Sequence, residues 1–240
     1  MEDNADDCEA VLAAVGVKRA VLIGHSMGSQ VILEYYRRHP KRVAGLVPLL
    51  GSYGKPIETF FDTDLVAKVF PTVYAAATRF PKQIERVMRV LSTQMDVIQV
   101  FAGLTKMVNG TMIRRSDLEP YIDHLARIDI DLFMRMVREM GEHTCEDILG
   151  TIEAPVLIIG GEIDQYTPVW LSEKMHRMIP GSEFILLPGG SHAALVEQPE
   201  LINLRIDKFI RDRIAPVRHK KPSASAEALE ESSDSRAHKS

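Results

Sequence analysis

The stretch VLIGHSMGSQ, residues 21–30, brackets one serine with two glycines at the point where an apolar run gives way to a polar turn. The apolar run is typical of a buried strand, and residues 27–38 return to helical spacing. A strand, then Gly-x-Ser-x-Gly, then a helix predicts a sharp turn that holds the hydroxyl of Ser26 clear of the backbone. We expect Gly24 and Gly28 to remove side chains that would collide across this turn.

The same turn is expected to place a hydrogen-bond donor beside the serine. The backbone N–H of Met27 opens the following helix, and the first N–H groups of a helix have no partner within it. This N–H is therefore predicted to point to where an oxyanion would form during acyl transfer. A glycine-rich turn without catalytic use is the alternative interpretation, and the position of the pentapeptide between strand and helix favours the nucleophile.

A serine hydroxyl needs a base, and the base needs an orienting carboxylate. Asp164 follows an apolar run in VLIIGGEIDQYTP, residues 156–168. His192 follows another in LLPGGSHAALVEQPE, residues 186–200. Because open parallel sheets gather their ligands at the carboxyl ends of the strands, both side chains are expected near Ser26.

Other residues of these types have less specific interpretations. Glu162 is a rival acid, but it lies nearer its strand than an orienting carboxylate should. His25 is expected to be structural, because its side chain leaves the turn in a different direction from that of Ser26. Cys8 and Cys145 are interpreted as two reduced structural thiols. No metal site is expected from the spacing of the other histidines, which are His39, His124, His143, His176, His219 and His238.

The order of the periodic segments predicts a parallel sheet with helices between its strands. Strands are predicted at residues 20–23, 43–50, 155–159 and 184–187, and helices at 6–15, 27–38, 170–178 and 199–214. Residues 60–140 lack strand-like alternation. Apolar spacing within that segment predicts one amphipathic helix over 84–98, with Pro71, Pro81 and Pro120 separating helical elements.

Three motifs in one order carry a resemblance. GHSMG, GGEIDQYTP and GGSHAALVEQP each follow an apolar strand, and together they resemble the α/β-hydrolase superfamily over about residues 5–214. The resemblance is to its serine-nucleophile, carboxylesterase-like branch. It implies Ser26 as nucleophile, His192 as general base and then acid, and Asp164 as the orienting residue.

The resemblance also implies an architecture. The fold class is α/β, a parallel-sheet α/β-hydrolase core with a helical cap insertion. We expect residues 1–54 and 141–215 to form the core, 55–140 to form the cap over the active site, and 216–240 to be a disordered tail. A serine at the elbow argues against the family branches that use aspartate there, the epoxide hydrolases and haloalkane dehalogenases.

The sequence departs from the family before the elbow. Family members carry further strands there, with a His-Gly loop that supplies a second oxyanion donor, and both are missing here. The fold is therefore expected to be N-terminally truncated, with the elbow strand on an open edge that offers a surface for self-association. Three explanations stay open: a fragment of a longer enzyme, a chain completed by a partner chain, or a degenerate inactive relative.

Composition excludes several classes of partner. A net charge of −4 gives no footprint for nucleic acid. No apolar run reaches the roughly 18 residues of a membrane span. The acidic start MEDNADDCEA is unlike a signal peptide, which predicts a cytoplasmic protein on condition that Met1 is the true start.

The function predicted is hydrolysis of a carboxylic ester, or a related acyl substrate, through a Ser-His-Asp triad and an acyl-enzyme without a cofactor. Amide, thioester, lactone and C–C bond hydrolysis would use the same residues. The alternative is an inactive hydrolase-like protein that acts as a binding module. Substrate-binding residues stay open, although methionines in the cap suggest either an adaptable acyl pocket or ordinary packing. They are Met88, Met95, Met107, Met112, Met134, Met136 and Met140.

Overall fold

A computed structural model describes residues 1–125 and 127–215 of the chain. Within it, four strands form one parallel sheet in the order β1-β2-β3-β4. The strands are β1 (Ala20–His25), β2 (Val43–Leu49), β3 (Leu157–Gly161) and β4 (Glu183–Leu187). The prediction of four parallel strands is confirmed, while the predicted disordered tail at 216–240 lies outside the described residues.

Helices connect the strands and fill the segment between β2 and β3. In chain order they are α1 (Glu2–Ala14), α2 (Met27–Arg38), α3 (Leu65–Arg79), α4 (Pro81–Leu91), α5 (Met95–Leu104), α6 (Arg115–Leu125), α7 (Ile130–Glu142), α8 (Val169–Met178), α9 (Ala194–Glu197) and α10 (Pro199–Phe209). A π-helical turn, Ile210–Ile214, continues α10. Helices α3 to α7 occupy the segment predicted to form the cap.

The single helix predicted over residues 84–98 is wrong. The chain forms α4 and α5 instead, separated by Ser92, Thr93 and Gln94. Ser92 Oγ donates to the Arg89 carbonyl at 2.8 Å and Thr93 Oγ1 to the Val90 carbonyl at 2.7 Å. Hydroxyls that bond to nearby backbone carbonyls compete with the helical ladder, so α4 ends although the apolar spacing continues.

Two of the three prolines do not separate helices. Pro81 is the first residue of α4, where its missing N–H costs nothing. Pro71 and Pro120 instead lie inside α3 and α6. A proline there forfeits one backbone hydrogen bond, and packing of neighbours such as the buried Leu118 offsets the loss.

Both faces of the sheet are covered by apolar side chains. On one face Leu46 and Ile158 pack with residues of α1, α2 and α8. On the other, Val47 and Ile159 pack with residues of α9 and α10, including the buried Phe209. Because β2 and β3 are buried on both faces, they hold the loops at their carboxyl ends rigidly.

The strand that leads into the elbow lies at an edge of the sheet. Among the described residues β1 pairs only with β2, in a register that runs from Ala20 opposite Val43 to His25 opposite Leu49. Ile23 in β1 is 50% exposed, whereas the central strands are buried. None of the helices in the described part of the chain combines the length and apolar character needed to cross a bilayer.

Candidate active site

The elbow has the backbone that the sequence predicts. Ser26 adopts φ 55° and ψ −120°, a conformation that is rare for residues other than glycine. Its N–H donates to the Leu49 carbonyl at 3.0 Å, which fixes the turn to the end of β2. Strained backbone of this kind is stored at functional sites when the surrounding structure holds it.

The two glycines of the elbow have different roles. A Cβ at Gly24 would overlap the backbone of Gly28, as expected, whereas a Cβ at Gly28 would meet open space. The expectation that both glycines relieve a collision is therefore wrong for Gly28. Ser29, which is fully buried, donates from Oγ to the Gly24 carbonyl at 2.8 Å and ties helix to strand.

The three predicted residues meet at the carboxyl edge of the sheet. His192 Nε2 lies 2.9 Å from Ser26 Oγ, and His192 Nδ1 lies 2.9 Å from Asp164 Oδ2. A hydrogen bond from Nδ1–H to Asp164 leaves Nε2 as the acceptor that faces the serine hydroxyl. Loops after three different strands, β1, β3 and β4, supply the three side chains.

Asp164 is held by several donors. The carboxylate is 2% exposed, and Oδ1 accepts from the N–H groups of Tyr166 and Thr167 at 2.8 and 2.9 Å. Oδ2 accepts from Thr167 Oγ1 at 2.8 Å and from His192. Glu162 does not contact the histidine; it accepts from the Gly189 N–H at 2.7 Å. Of the two acids, Asp164 is therefore the one that bonds to His192.

His25 contacts the loop that carries His192, which the sequence did not indicate. Its Nε2 donates to the His192 carbonyl at 3.1 Å, and the two ring centroids are 5.3 Å apart. Burial, with a contribution from His192, lowers the pKa of His25 to about 4. His25 is therefore neutral near pH 7 and serves as a hydrogen-bond donor to that loop.

Aromatic packing holds the other side of the imidazole. The ring of Tyr166 lies 5.2 Å from that of His192 and within 5.4 Å of the rings of Phe60 and Phe61. Burial raises the pKa of Tyr166. Nothing in the sequence pattern marked Tyr166 except its place two residues after Asp164.

A cavity of about 430 Å³ adjoins Ser26 and His192. Its wall contains no lysine, arginine, aspartate or glutamate among the described residues. Residues 55–140, which we call the cap segment because the sequence predicts a cap there, supply most of the wall, including Phe70, Val73 and Phe133. Four of the seven cap methionines also line it, and these are Met107, Met134, Met136 and Met140.

A second titratable cluster lies where the chain returns from the cap. Glu34 Oε2 accepts from His143 Nε2 at 3.0 Å and lies 3.8 Å from Cys145 Sγ. These three could ligate a metal by type and distance. The Arg37 guanidinium already neutralises the same carboxylate oxygen at 2.7 Å, and burial raises the pKa of Cys145 to about 12. The cluster is better described as a hydrogen-bonded ion pair.

Comparison with known proteins identifies the family of this chain. The sequence pattern of the alpha/beta hydrolase family matches residues 1–203. This chain belongs to the alpha/beta hydrolase family. The sequence resemblance to that superfamily, and the α/β fold class with a parallel sheet, are thereby confirmed.

Curated relatives of this alpha/beta hydrolase extend beyond the matched region. An uncharacterized hydrolase, YugF, of Bacillus subtilis is 28% identical over 207 residues, which are 84% of this chain and 68% of the relative. A 2-hydroxy-6-oxononadienedioate/2-hydroxy-6-oxononatrienedioate hydrolase of Paraburkholderia phymatum is 24% identical over 207 residues, 86% of this chain and 67% of the relative. The chain thus matches about two thirds of each.

A solved structure supports the fold of this alpha/beta hydrolase. A thermophilic esterase from Thermogutta terrifontis superposes with a TM-score of 0.66 at 21% identity, covering 88% of this chain and 72% of that one. At this identity the likeness concerns the fold alone. Family membership and the names of the relatives together make the chain a hydrolase.

Proposed function

We propose that this alpha/beta hydrolase cleaves carboxylic esters with Ser26 as nucleophile, His192 as general base and acid, and Asp164 as the residue that orients His192. The proposal is carried by one observation, the continuous hydrogen-bonded chain from Ser26 Oγ through His192 to Asp164, with 2.9 Å at each link. Such a chain allows a proton to leave the serine as its oxygen attacks.

In the first half-reaction, Ser26 Oγ bonds to the carbonyl carbon of the ester, and its proton passes to His192 Nε2. The carbonyl oxygen becomes an oxyanion, which the N–H of Met27 at the start of α2 would stabilise. His192 then gives its proton to the leaving alkoxide as the C–O bond breaks. An acyl-enzyme and a free alcohol result.

In the second half-reaction, a water molecule takes the place of the alcohol. It gives a proton to His192 Nε2 while its oxygen bonds to the acyl carbon. The tetrahedral species collapses, the proton returns to Ser26 Oγ, and the carboxylic acid leaves. Asp164 keeps Nδ1 protonated throughout, so Nε2 exchanges the proton in both halves.

The oxyanion site is proposed with one assigned donor. Met27 is that donor, and the second one expected from the family resemblance is not assigned to any described residue. Removal of one donor typically lowers kcat by about 10²–10³-fold.

The cavity wall favours an uncharged, apolar substrate. A buried carboxylate needs a cationic partner, and the wall has no lysine or arginine among the described residues. The name of the Paraburkholderia relative's substrate denotes a dicarboxylate. We therefore propose a monoester of an apolar acid for this chain rather than a substrate with two carboxylates.

Turnover of p-nitrophenyl butyrate and labelling by a fluorophosphonate probe test the proposal. We expect the wild-type chain to show both, and Ser26→Ala to lose both. Ser116→Ala, an exposed change in α6, serves as the control and should keep both. A folded wild-type chain with neither property would instead support the binding-module alternative.

A further inference from the structure

A carboxylate outside the proposed triad joins the cap to the loop that carries His192. Glu197, the last residue of α9, accepts from the backbone N–H of Asn109 through Oε1 at 2.6 Å. Its other oxygen, Oε2, accepts from the backbone N–H of Ser191 at 3.1 Å. Ser191 Oγ also lies within hydrogen-bond distance of Oε1. Both oxygens of Glu197 are thus used, one toward the cap and both toward the residue before His192.

The cap segment 106–109 completes this contact from the opposite side. The Met107 carbonyl accepts from the Ala193 N–H at 3.0 Å and lies 3.0 Å from Oγ of the fully buried Ser191. Asn109 Nδ2 donates to the Gly189 carbonyl at 2.8 Å. The residues immediately before and after His192 are therefore both bonded to the cap.

We infer that Glu197 is a positioning residue. By bonding the loop that carries His192 to the cap segment, it holds the His192 imidazole in line with Ser26. The inference rests on the proposed function, because it assigns Glu197 a part in the same reaction. Glu197 does not touch the reacting atoms; it acts through Ser191 and Asn109. Misplacement of a catalytic group by about 1 Å can cost about 10²-fold in rate.

The chemistry of the contact requires a carboxylate. Each oxygen of Glu197 faces a backbone N–H, so a glutamine would turn its own NH₂ group toward one of them. A buried donor left without an acceptor is costly. In the part of the chain that the structure describes, Glu197 forms no salt bridge, so its contacts serve orientation and not charge pairing.

Glu197→Gln is the variant that tests this role. The matched control is Glu200→Gln, three residues later at the start of α10, since Glu200 is exposed. We expect Glu197→Gln to lower kcat for p-nitrophenyl butyrate by 10- to 100-fold, with KM within threefold of wild type, and Glu200→Gln to leave both unchanged. Titration of active sites with the fluorophosphonate probe counts the folded, reactive fraction, so that kcat is expressed per active site.

Hydrogen exchange measured by mass spectrometry gives a second readout that needs no turnover. Glu197→Gln should speed exchange in peptides that cover 106–113 and 189–193 together, while Ser191→Ala should give part of that increase. Unchanged kcat and unchanged exchange in Glu197→Gln would overturn the inference. So would a loss of activity explained fully by fewer titratable sites, because that outcome reflects folding alone. A wild-type chain that neither turns over nor labels would overturn the proposed function instead, and exchange would then show only whether the contact exists.

Discussion

The carboxyl edge of the sheet, called the sheet edge below, and the cap segment stabilise their buried residues by different interactions. At the sheet edge, Asp164, His192 and Ser29 are polar and buried, and each is bonded to a named partner on another element or turn. In the cap, the cavity wall is built from residues such as Phe133 and Met134, which contribute apolar contact only. Hydrogen bonds are directional and apolar contacts are not. On the proposed function, the residues at the carboxyl ends of the strands would therefore set the reaction geometry, and the cap segment would set the choice of substrate.

The difference extends to the outer surface. Strands β2 and β3 bury nearly all of their side chains. Helix α5 exposes an apolar stripe at the spacing i, i+3, i+4, i+7, with side chains 62–77% accessible. The stripe consists of Val97, Val100, Phe101 and Leu104. Cap helices thus divide their apolar residues among an inner cluster, the cavity and the surface.

Replacement of Asp164, at the sheet edge, should have the largest effect on activity. Asp164→Asn is expected to lower kcat for p-nitrophenyl butyrate by about 10⁴-fold, because the amide no longer fixes the tautomer of His192. KM should change by less than about threefold, since the cavity wall is untouched. Glu162→Gln is the control, because its one backbone contact survives in an amide. Activity of Asp164→Asn above a tenth of wild type would remove Asp164 from its role.

A cation placed in the cavity should change selectivity and leave the triad intact. Phe133→Arg is expected to lower kcat/KM for p-nitrophenyl butyrate by about 10- to 100-fold, because an arginine there must be desolvated or must displace the acyl group. The ratio of kcat/KM for the mono-p-nitrophenyl ester of glutaric acid to kcat/KM for p-nitrophenyl butyrate should rise. Leu132→Arg, next to it in α7 but outside the cavity wall, should change neither rate. Equal effects of the two arginines would show that the cavity does not bind the acyl group.

Alanine substitutions at the two elbow glycines are expected to change the free energy of unfolding in opposite directions. Gly24→Ala is expected to lower the free energy of unfolding by about 3 kcal/mol, because its Cβ would overlap the backbone of Gly28. Gly28→Ala meets open space in α2 and should raise it by about 0.5 kcal/mol, since alanine favours a helix over glycine. Urea unfolding at 25 °C measures both, and similar values for the pair would contradict the assigned difference.

His25 is expected to affect stability only as a function of pH. Its pKa in the folded chain is about 4, below the ordinary 6.5, so between these values the unfolded chain binds a proton that the folded chain does not. Stability is therefore fully present above pH 6.5 and is lost as pH falls toward 4, by about 1.4 kcal/mol per pH unit at most. Between pH 6.5 and 5, the free energy of unfolding measured in urea should fall by about 1.6 kcal/mol less for His25→Gln than for the wild type. Parallel curves for the two proteins would show that His25 does not titrate as described.

Much of the fold could be predicted because its signals are local. The strand–Gly-x-Ser-x-Gly–helix order fixes the elbow, and the predicted α2 boundaries of 27–38 match those observed. The break between α4 and α5 could not be read from apolar spacing, because it depends on hydroxyls that bond to carbonyls three residues back. The open space beside Gly28 could not be predicted either, because it depends on the direction in which a Cβ would point, and the sequence pattern does not show that direction.

The sequence by itself determined that the chain forms a parallel sheet of four strands, and it identified Ser26, Asp164 and His192 as candidate residues. These follow from periodicity, turn chemistry and motif order, which act over a few residues. Only the tertiary structure decided that Glu197 bonds to Asn109 and Ser191, and that His25 donates to the His192 carbonyl. Those contacts join residues 6, 88 and 167 positions apart, and nothing but the packing of cap and loops on the sheet brings them together.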